Sequence, residues 1–237
     1  MAAPRTARTA RERVRDEMTA EILAVARAHV AEEGAAALSL RSVARDLEMA
    51  PSALYRYFDG RDALLSALIM AAYEALAAEG ERAADRAPRG EASDAERWRE
   101  VPRAMRQWAL GHPHEWGLIF GTPVPGYEAP RDTVEPYTRV ASALVRPLVD
   151  AKAAGRLRSD DKQRAVDVQL REAVAPVAQG LFTDMPVDKV VQVVQAWSTV
   201  VGVISLEVFG HWRETILDPE AFFDATVRDI ARALGLT

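Results

Sequence analysis

No cysteine occurs among the 237 residues, so disulfide staples and thiolate chemistry are excluded. Strand signals are nearly absent as well. Alanine is abundant and the β-branched residues fall at helical spacing. No run reaches the ~18 uninterrupted apolar residues of a membrane span; the nearest stretch, Trp197 to Phe209, is short and carries Glu207. Met1 to Arg15 has no apolar core of the kind a secretory leader carries. Nucleophile elbows, glycine-rich phosphate loops and paired-carboxylate motifs are missing too, which argues against catalysis. With four histidines, metal chemistry has little to work with. His112 and His114 are two apart with Pro113 between them, so on a helix they point in different directions. The sequence therefore predicts no catalytic residue, no metal, no cofactor and no membrane contact.

What is present is unevenly distributed charge. The net charge is −5, yet residues 1–62 hold ten arginines against ten acids, and residues 63–237 hold 20 basic and 25 acidic residues. Within Met1 to Arg15, five arginines face Glu12 alone. A basic arm on a neutral head with an acidic body is compatible with polyanion contact at one end.

Helical periodicity organises the chain. A first helix is expected over Arg11 to Glu33, with Met18, Ile22, Val25, Ala26, His29 and Val30 forming one stripe. Gly34 ends it in a left-handed conformation. Ser39 caps a short second helix that buries Leu40, Val43, Ala44 and Leu47. After a break at Glu48-Met49-Ala50, Pro51 starts a third helix carrying Leu54, Tyr57 and Phe58. Asp59 can cap a long fourth helix through Ala84. Further helices are expected at about 94–111, 113–120, 133–154, 162–182, 187–212 and 219–234. Gly121 to Gly126 must be a loop.

Residues 40 to 59 form a bihelical unit. Its connection of three or four residues forces a steep crossing and exposes the second helix along one side, where it fits a major groove ~12 Å wide. Ser39, Arg41 and Ser52 can donate to phosphates or bases. Ala53 can pack on a thymine methyl group, Tyr55 and Tyr57 offer hydroxyls, and Arg56 and Arg61 supply charge.

Leu-Arg-Ser-Val-Ala-Arg-Asp-Leu (40–47), Pro-Ser-Ala-Leu-Tyr-Arg-Tyr-Phe (51–58) and Arg61-Asp62-Ala63-Leu64-Leu65 resemble the DNA-binding region of TetR-type transcriptional regulators. The close resemblance covers about residues 15–70. More weakly, His112 to Gly121 and Trp197 to Trp212 resemble a subgroup with a WHG-type C-terminal ligand domain. The resemblance implies an all-α homodimer that binds double-stranded operator DNA, with an effector in the C-terminal domain that releases it. There are departures. The family often has Gly-Val-Ser or Gly-Val-Thr at the turn, and His at the place of Tyr57. Glu48 in a left-handed turn would cost ~1 kcal/mol relative to glycine, and Ala50 forfeits roughly 1 kcal/mol of capping.

Four of the five tryptophans lie in residues 98–197. Met105, Trp108, Trp116, Phe120, Tyr137 and Trp197 are expected to line an apolar effector cavity, with Arg171 orienting a hydrophobic or planar ligand. Val190 to Phe209 is apolar on more than one face, so one side is expected to meet a second copy, together with the 162–182 helix. The whole reads as an all-α fold in three parts. Residues 1–14 are a basic flexible arm, 15–62 a three-helix helix-turn-helix DNA-binding domain, and 63–237 a helical ligand-binding and dimerisation domain. The expected function is a cytoplasmic, ligand-responsive repressor. The competing reading is a helical small-molecule-binding or catalytic protein whose hairpin never touches DNA.

Overall fold

The computed structural model describes residues 9–86, 92–158, 167–181 and 185–236, leaving aside the side chains of residues 180 and 181. Among these residues there are ten α-helices and no β-strand. They are α1 (Ala10–Glu33), α2 (Leu40–Asp46), α3 (Pro51–Leu54), α4 (Arg61–Arg86), α5 (Asp94–Gly111), α6 (Pro113–Phe120), α7 (Val134–Ala153), α8 (Val168–Leu181), α9 (Val187–Val208) and α10 (Pro219–Ala233).

Helix α1 starts inside the span expected to be an arm. Thr9 forms a capping box: its hydroxyl accepts from the Glu12 N–H, and the Glu12 carboxylate accepts from the Thr9 N–H at 2.7 Å. That pairing satisfies two donors at the helix start and makes residues 10–14 helical. The part of the expected arm before Thr9 lies outside the described residues. Ile22, Ala26 and Val30 are buried at four-residue spacing. Gly34 has φ 83° and ψ 159°, a positive-φ extended conformation open to glycine rather than the left-handed helical one expected. A 3₁₀ turn over Ala35–Ala37, invisible to the periodicity, follows. At α4, the Gly60 carbonyl accepts the first helical bond from Leu64, so Gly60 and not Asp59 holds the N-cap place.

The described chain forms two compact units. The first takes the residues up to Ala72 together with Thr122–Thr133, and the second takes Tyr73–Gly121 and Val134 onward. The boundary thus falls within α4, ten residues beyond the Asp62/Ala63 division expected from sequence. The α6–α7 connection groups with the first unit, where the Tyr127 and Ser66 hydroxyls lie 2.9 Å apart.

In the second unit α5 is central and packs on α7, α9 and α10. Its buried face carries Trp98, Val101, Met105 and Ala109. Gly80 of α4 lets α7 approach; a Cβ there would lie 3.0 Å from that of Ala143. Charged clamps tie the helices. The Arg103 guanidinium donates to both carboxylate oxygens of Asp224, and Arg106 donates to both of Glu207. Buried Lys189 donates to the Leu234 carbonyl at the end of α10. Helix α9 ends at Val208 instead of 212, because Gly210 at φ 75° turns the chain into a run of turns. Of the expected 162–182 helix, residues 168–181 are seen; 162–166 and 182 lie outside the described residues.

Candidate nucleic-acid interface

The bihelical unit is built as its apolar positions dictate. Val43, Ala44 and Leu54 are fully buried, and Phe58 nearly so. The Ser39 hydroxyl accepts from the Arg41 N–H, capping α2 and leaving its own proton free to donate. After Leu47 the chain turns at Glu48, whose φ of 53° places it in the left-handed region. The turn is closed by the Met49 N–H donating to the Ala44 carbonyl at 2.8 Å. Ala50 occupies the N-cap of α3 with no side-chain bond, and Pro51 follows at the first helical position. Both costs foreseen at this turn are therefore present. Glu48→Gly combined with Ala50→Ser should raise stability by about 1–2 kcal/mol. Chemical denaturation checks it: the midpoint should rise at unchanged m-value, and an unchanged or lower midpoint would refute the strain argument.

Helix α3 is only four residues long; residues 55–57 continue as a turn, with Tyr57 and Phe58 both donating to the Leu54 carbonyl. The sequence expectation of a helix carrying Tyr57 is corrected here: regular helix ends at Leu54, and Tyr57 sits on the following turn. Arg41, Ser52, Tyr55 and Arg56 are exposed, whereas Ser39, Ala53 and Tyr57 are half-buried. The Arg15 guanidinium lies 5.7 Å over the Tyr57 ring.

Arg61, expected on phosphates, faces the protein. Its guanidinium donates to the carbonyls of Ala35, Ala36 and Leu38 and pairs with Asp62. Two carbonyls of the 3₁₀ turn and that of Leu38 just after it converge on one forked donor, so Arg61 braces the start of α4 against the α1–α2 connection. His29 was counted in the apolar stripe, but its Nε2 lies 2.6 Å from the Asp46 carboxylate and ties α1 to the end of α2. This bond, followed by the one from Arg45, holds the Asp46 carboxyl below its usual range.

In the second unit the aromatic set divides. Tyr73, Phe120, Trp197 and Tyr137 form a closed ring of edge-to-face neighbours, with centroids 5.8–6.1 Å apart around it. Trp116 adjoins Phe120 at 4.5 Å and donates its indole N–H to Ser205. Met105 is buried on α5, and Trp108 stacks on His112 at 5.0 Å. Arg171 pairs with Asp188 across α8 and α9. These three take part in the α5 core, a helix end and a helix pair. Tyr73 was missed because it looked like one more apolar position of the fourth helix.

Two family models match this architecture. Residues 22–68 match bacterial regulatory proteins of the tetR family, and residues 98–230 match the tetracyclin repressor-like C-terminal domain. The chain belongs to the tetR family of bacterial regulatory proteins.

The TetR-type head thus accounts for residues 40–58, and the chain is a DNA-binding transcriptional regulator. The HTH-type transcriptional regulator Rv1816 of Mycobacterium tuberculosis is 37% identical over 241 residues, covering 95% of each chain. Its counterpart Mb1846 of Mycobacterium bovis matches equally. The crystal structure of regulatory protein SCO4313 is 35% identical, with a TM-score of 0.73 over 94% of this chain and 98% of that one. A TetR-family regulator from Marinobacter aquaeolei, 17% identical with a TM-score of 0.57 over 93% of this chain and 97% of that one, shares the fold. These relatives set aside the reading of the hairpin as a module unconnected with DNA. The glutamate and alanine in its turn are local variations within a TetR head.

Proposed function

We propose that this TetR-family protein is a cytoplasmic homodimeric repressor, released from its operator when a small hydrophobic or planar effector binds beside the aromatic ring of Tyr73, Phe120, Tyr137 and Trp197. DNA contact falls to Ser39, Arg41, Ser52, Ala53, Tyr55, Arg56 and Tyr57. The exposed Ser52, Tyr55 and Arg56 on a reading element anchored by buried Leu54 and Phe58 are the observation that carries this assignment. Ser52 and Ala53 start the reading helix, where side chains reach deepest into a major groove.

The effector assignment rests on the aromatic ring's partial exposure: Tyr137 is 38% exposed, and Tyr73, Phe120 and Trp197 are half-buried. Two covalent connections lead from these residues to the reading unit. Tyr73 lies on α4, which continues without a break from Arg61. Phe120 and Tyr137 flank the 122–133 segment, which groups with the reading unit and meets it through Tyr127 and Ser66. Helix α4, at 1.5 Å per residue, is roughly 39 Å long and can act as a lever. The two reading helices of a dimer must be held near 34 Å apart for half-sites one turn apart, so a shift of a few ångströms misplaces one.

The second copy is placed on α8 and α9. Val168, Leu170, Val177 and Leu206 are exposed there, with Phe209 exposed just beyond α9, and one third of the most apolar stretch of α9 is buried. By length and composition alone α4 and α9 could also cross a membrane, but half of that stretch of α4 is core.

Coupling is reciprocal: if effector weakens operator binding, operator weakens effector binding by the same factor. The test titrates a planar hydrophobic probe against the protein with and without saturating operator, following tryptophan fluorescence. Weaker probe binding with operator is expected, and Tyr127→Phe should shrink the difference about threefold or more while leaving operator affinity alone. Equal probe affinity in both titrations would contradict the reading.

A further inference from the structure

Four aromatic rings stand in a closed loop in the second unit. Tyr73, Phe120, Trp197 and Tyr137 meet their neighbours at 64–86°, with centroids 5.8–6.1 Å apart. Faces set close to right angles around a loop are arranged as the walls of a box are. A flat ligand needs parallel faces to stack between, whereas a rounded group can touch four walls at once. On sides of about 6 Å, the middle of a square loop lies roughly 4 Å from each centroid, inside the ~6 Å reach of cation–π attraction.

Two of the walls are braced from outside the loop. The Tyr73 hydroxyl donates to the Ile119 carbonyl at 3.2 Å. Phe120 rests against Trp116, whose indole N–H is held by Ser205. Rings fixed in this way keep their spacing without a ligand, which lowers the cost of ordering on binding. Tyr137, 38% exposed, is the most open wall.

The charge nearby has the sign that suits a cation. Among the described residues, arginine lies over the rings of Tyr57 and Phe223, and no arginine or lysine covers Phe120, Tyr137 or Trp197. Arg139, two residues past Tyr137, is taken up by both carboxylate oxygens of Glu81. Glu74, next to Tyr73, and Glu135 also act on Arg139 through their charge and make no ion pair among the described residues. Electron-rich ring faces in an acidic unit attract a positive ligand and repel a carboxylate.

We infer that the aromatic loop takes a quaternary, methylated ammonium group carried on an apolar body, with the positive head among the four rings and Tyr137 at the entrance. The inference rests on the effector reading and narrows its ligand class. A quaternary head has no N–H to satisfy, which suits walls of ring carbon; a primary ammonium would forfeit its hydrogen bonds to water there.

The experiment uses the full chain and two probes of one shape, benzyltrimethylammonium and its uncharged isostere neopentylbenzene, each titrated while tryptophan fluorescence is followed. Wild type should bind the cation about tenfold more tightly than the isostere. Tyr137→Leu should remove most of that preference while changing affinity for the isostere less than about twofold, and Tyr137→Phe, which keeps the π face, should retain it. Glu74→Gln with Glu135→Gln should weaken cation binding alone and flatten its salt dependence. If Tyr137→Leu loses helix content, the comparison of the two probes on wild type decides by itself. Equal affinity for the two isosteres, or binding of the planar hydrophobic probe alone, would overturn the inference while leaving the effector reading intact. Binding of none of the three would overturn both.

Discussion

Asp94→Asn is expected to lower the stability of the second unit by about 1–3 kcal/mol, because buried Arg97 loses one of its two carboxylates and Arg156 loses its two-oxygen partner. Asp94 is 6% exposed at the start of α5. Its carboxylate accepts from Arg156 at 2.7 and 3.0 Å and pairs with Arg97 at 3.5 Å, while Arg97 also reaches Asp150 at 3.1 Å. Hydrogen bonding from Arg156 holds the Asp94 carboxyl below its ordinary value, against the opposing effect of burial. A carboxyl with a depressed folded-state pKa stabilises above its unfolded value, near ~3.9, and loses that contribution as pH falls through the folded value. The difference between wild type and Asp94→Asn should therefore be full near neutrality and shrink below about pH 4. Thermal unfolding across pH measures it. A constant difference down to the most acid conditions would show that the charge on Asp94 is not what matters.

The double substitution Val177→Glu with Leu206→Glu should abolish the dimer without unfolding the chain. Both side chains are exposed in the single chain, 37% for Val177 and 43% for Leu206, so a carboxylate at either place stays solvated in a monomer. In the proposed dimer they are buried, and each uncompensated charge would cost several kcal/mol. Light scattering should report a monomer with unchanged helix content, and operator binding should collapse because two half-sites need two joined heads. A well-folded dimer that still binds operator would place the interface elsewhere.

Much of the fold could be read from periodicity because the elements are long and their faces distinct. Helices α5 and α6 lie where the apolar spacing and the prolines place them, and the loop after Phe120 is where Gly121, Pro123 and Pro125 require it. The positive φ at Glu48 was legible because a three-residue connection leaves little alternative. What the sequence hid depends on partners distant along the chain. Arg61 reads as a free surface charge until the carbonyls of residues 35, 36 and 38 are brought to it. His29 reads as apolar until Asp46 arrives beside it, and Tyr73 reads as core until Phe120 and Tyr137 meet its ring.

The central claim is that the exposed Ser52, Tyr55 and Arg56 read operator DNA, and one titration tests it most directly. Purified full-length protein is bound to a duplex from the region upstream of its own gene, against an unrelated duplex of the same length and salt. The account predicts at least ~10³-fold tighter binding to the upstream duplex at physiological salt. It also predicts protection of two half-sites whose centres lie about one helical turn, or a whole number of turns, apart. Equal affinity for the two duplexes in that titration, with no protected half-sites, would contradict it.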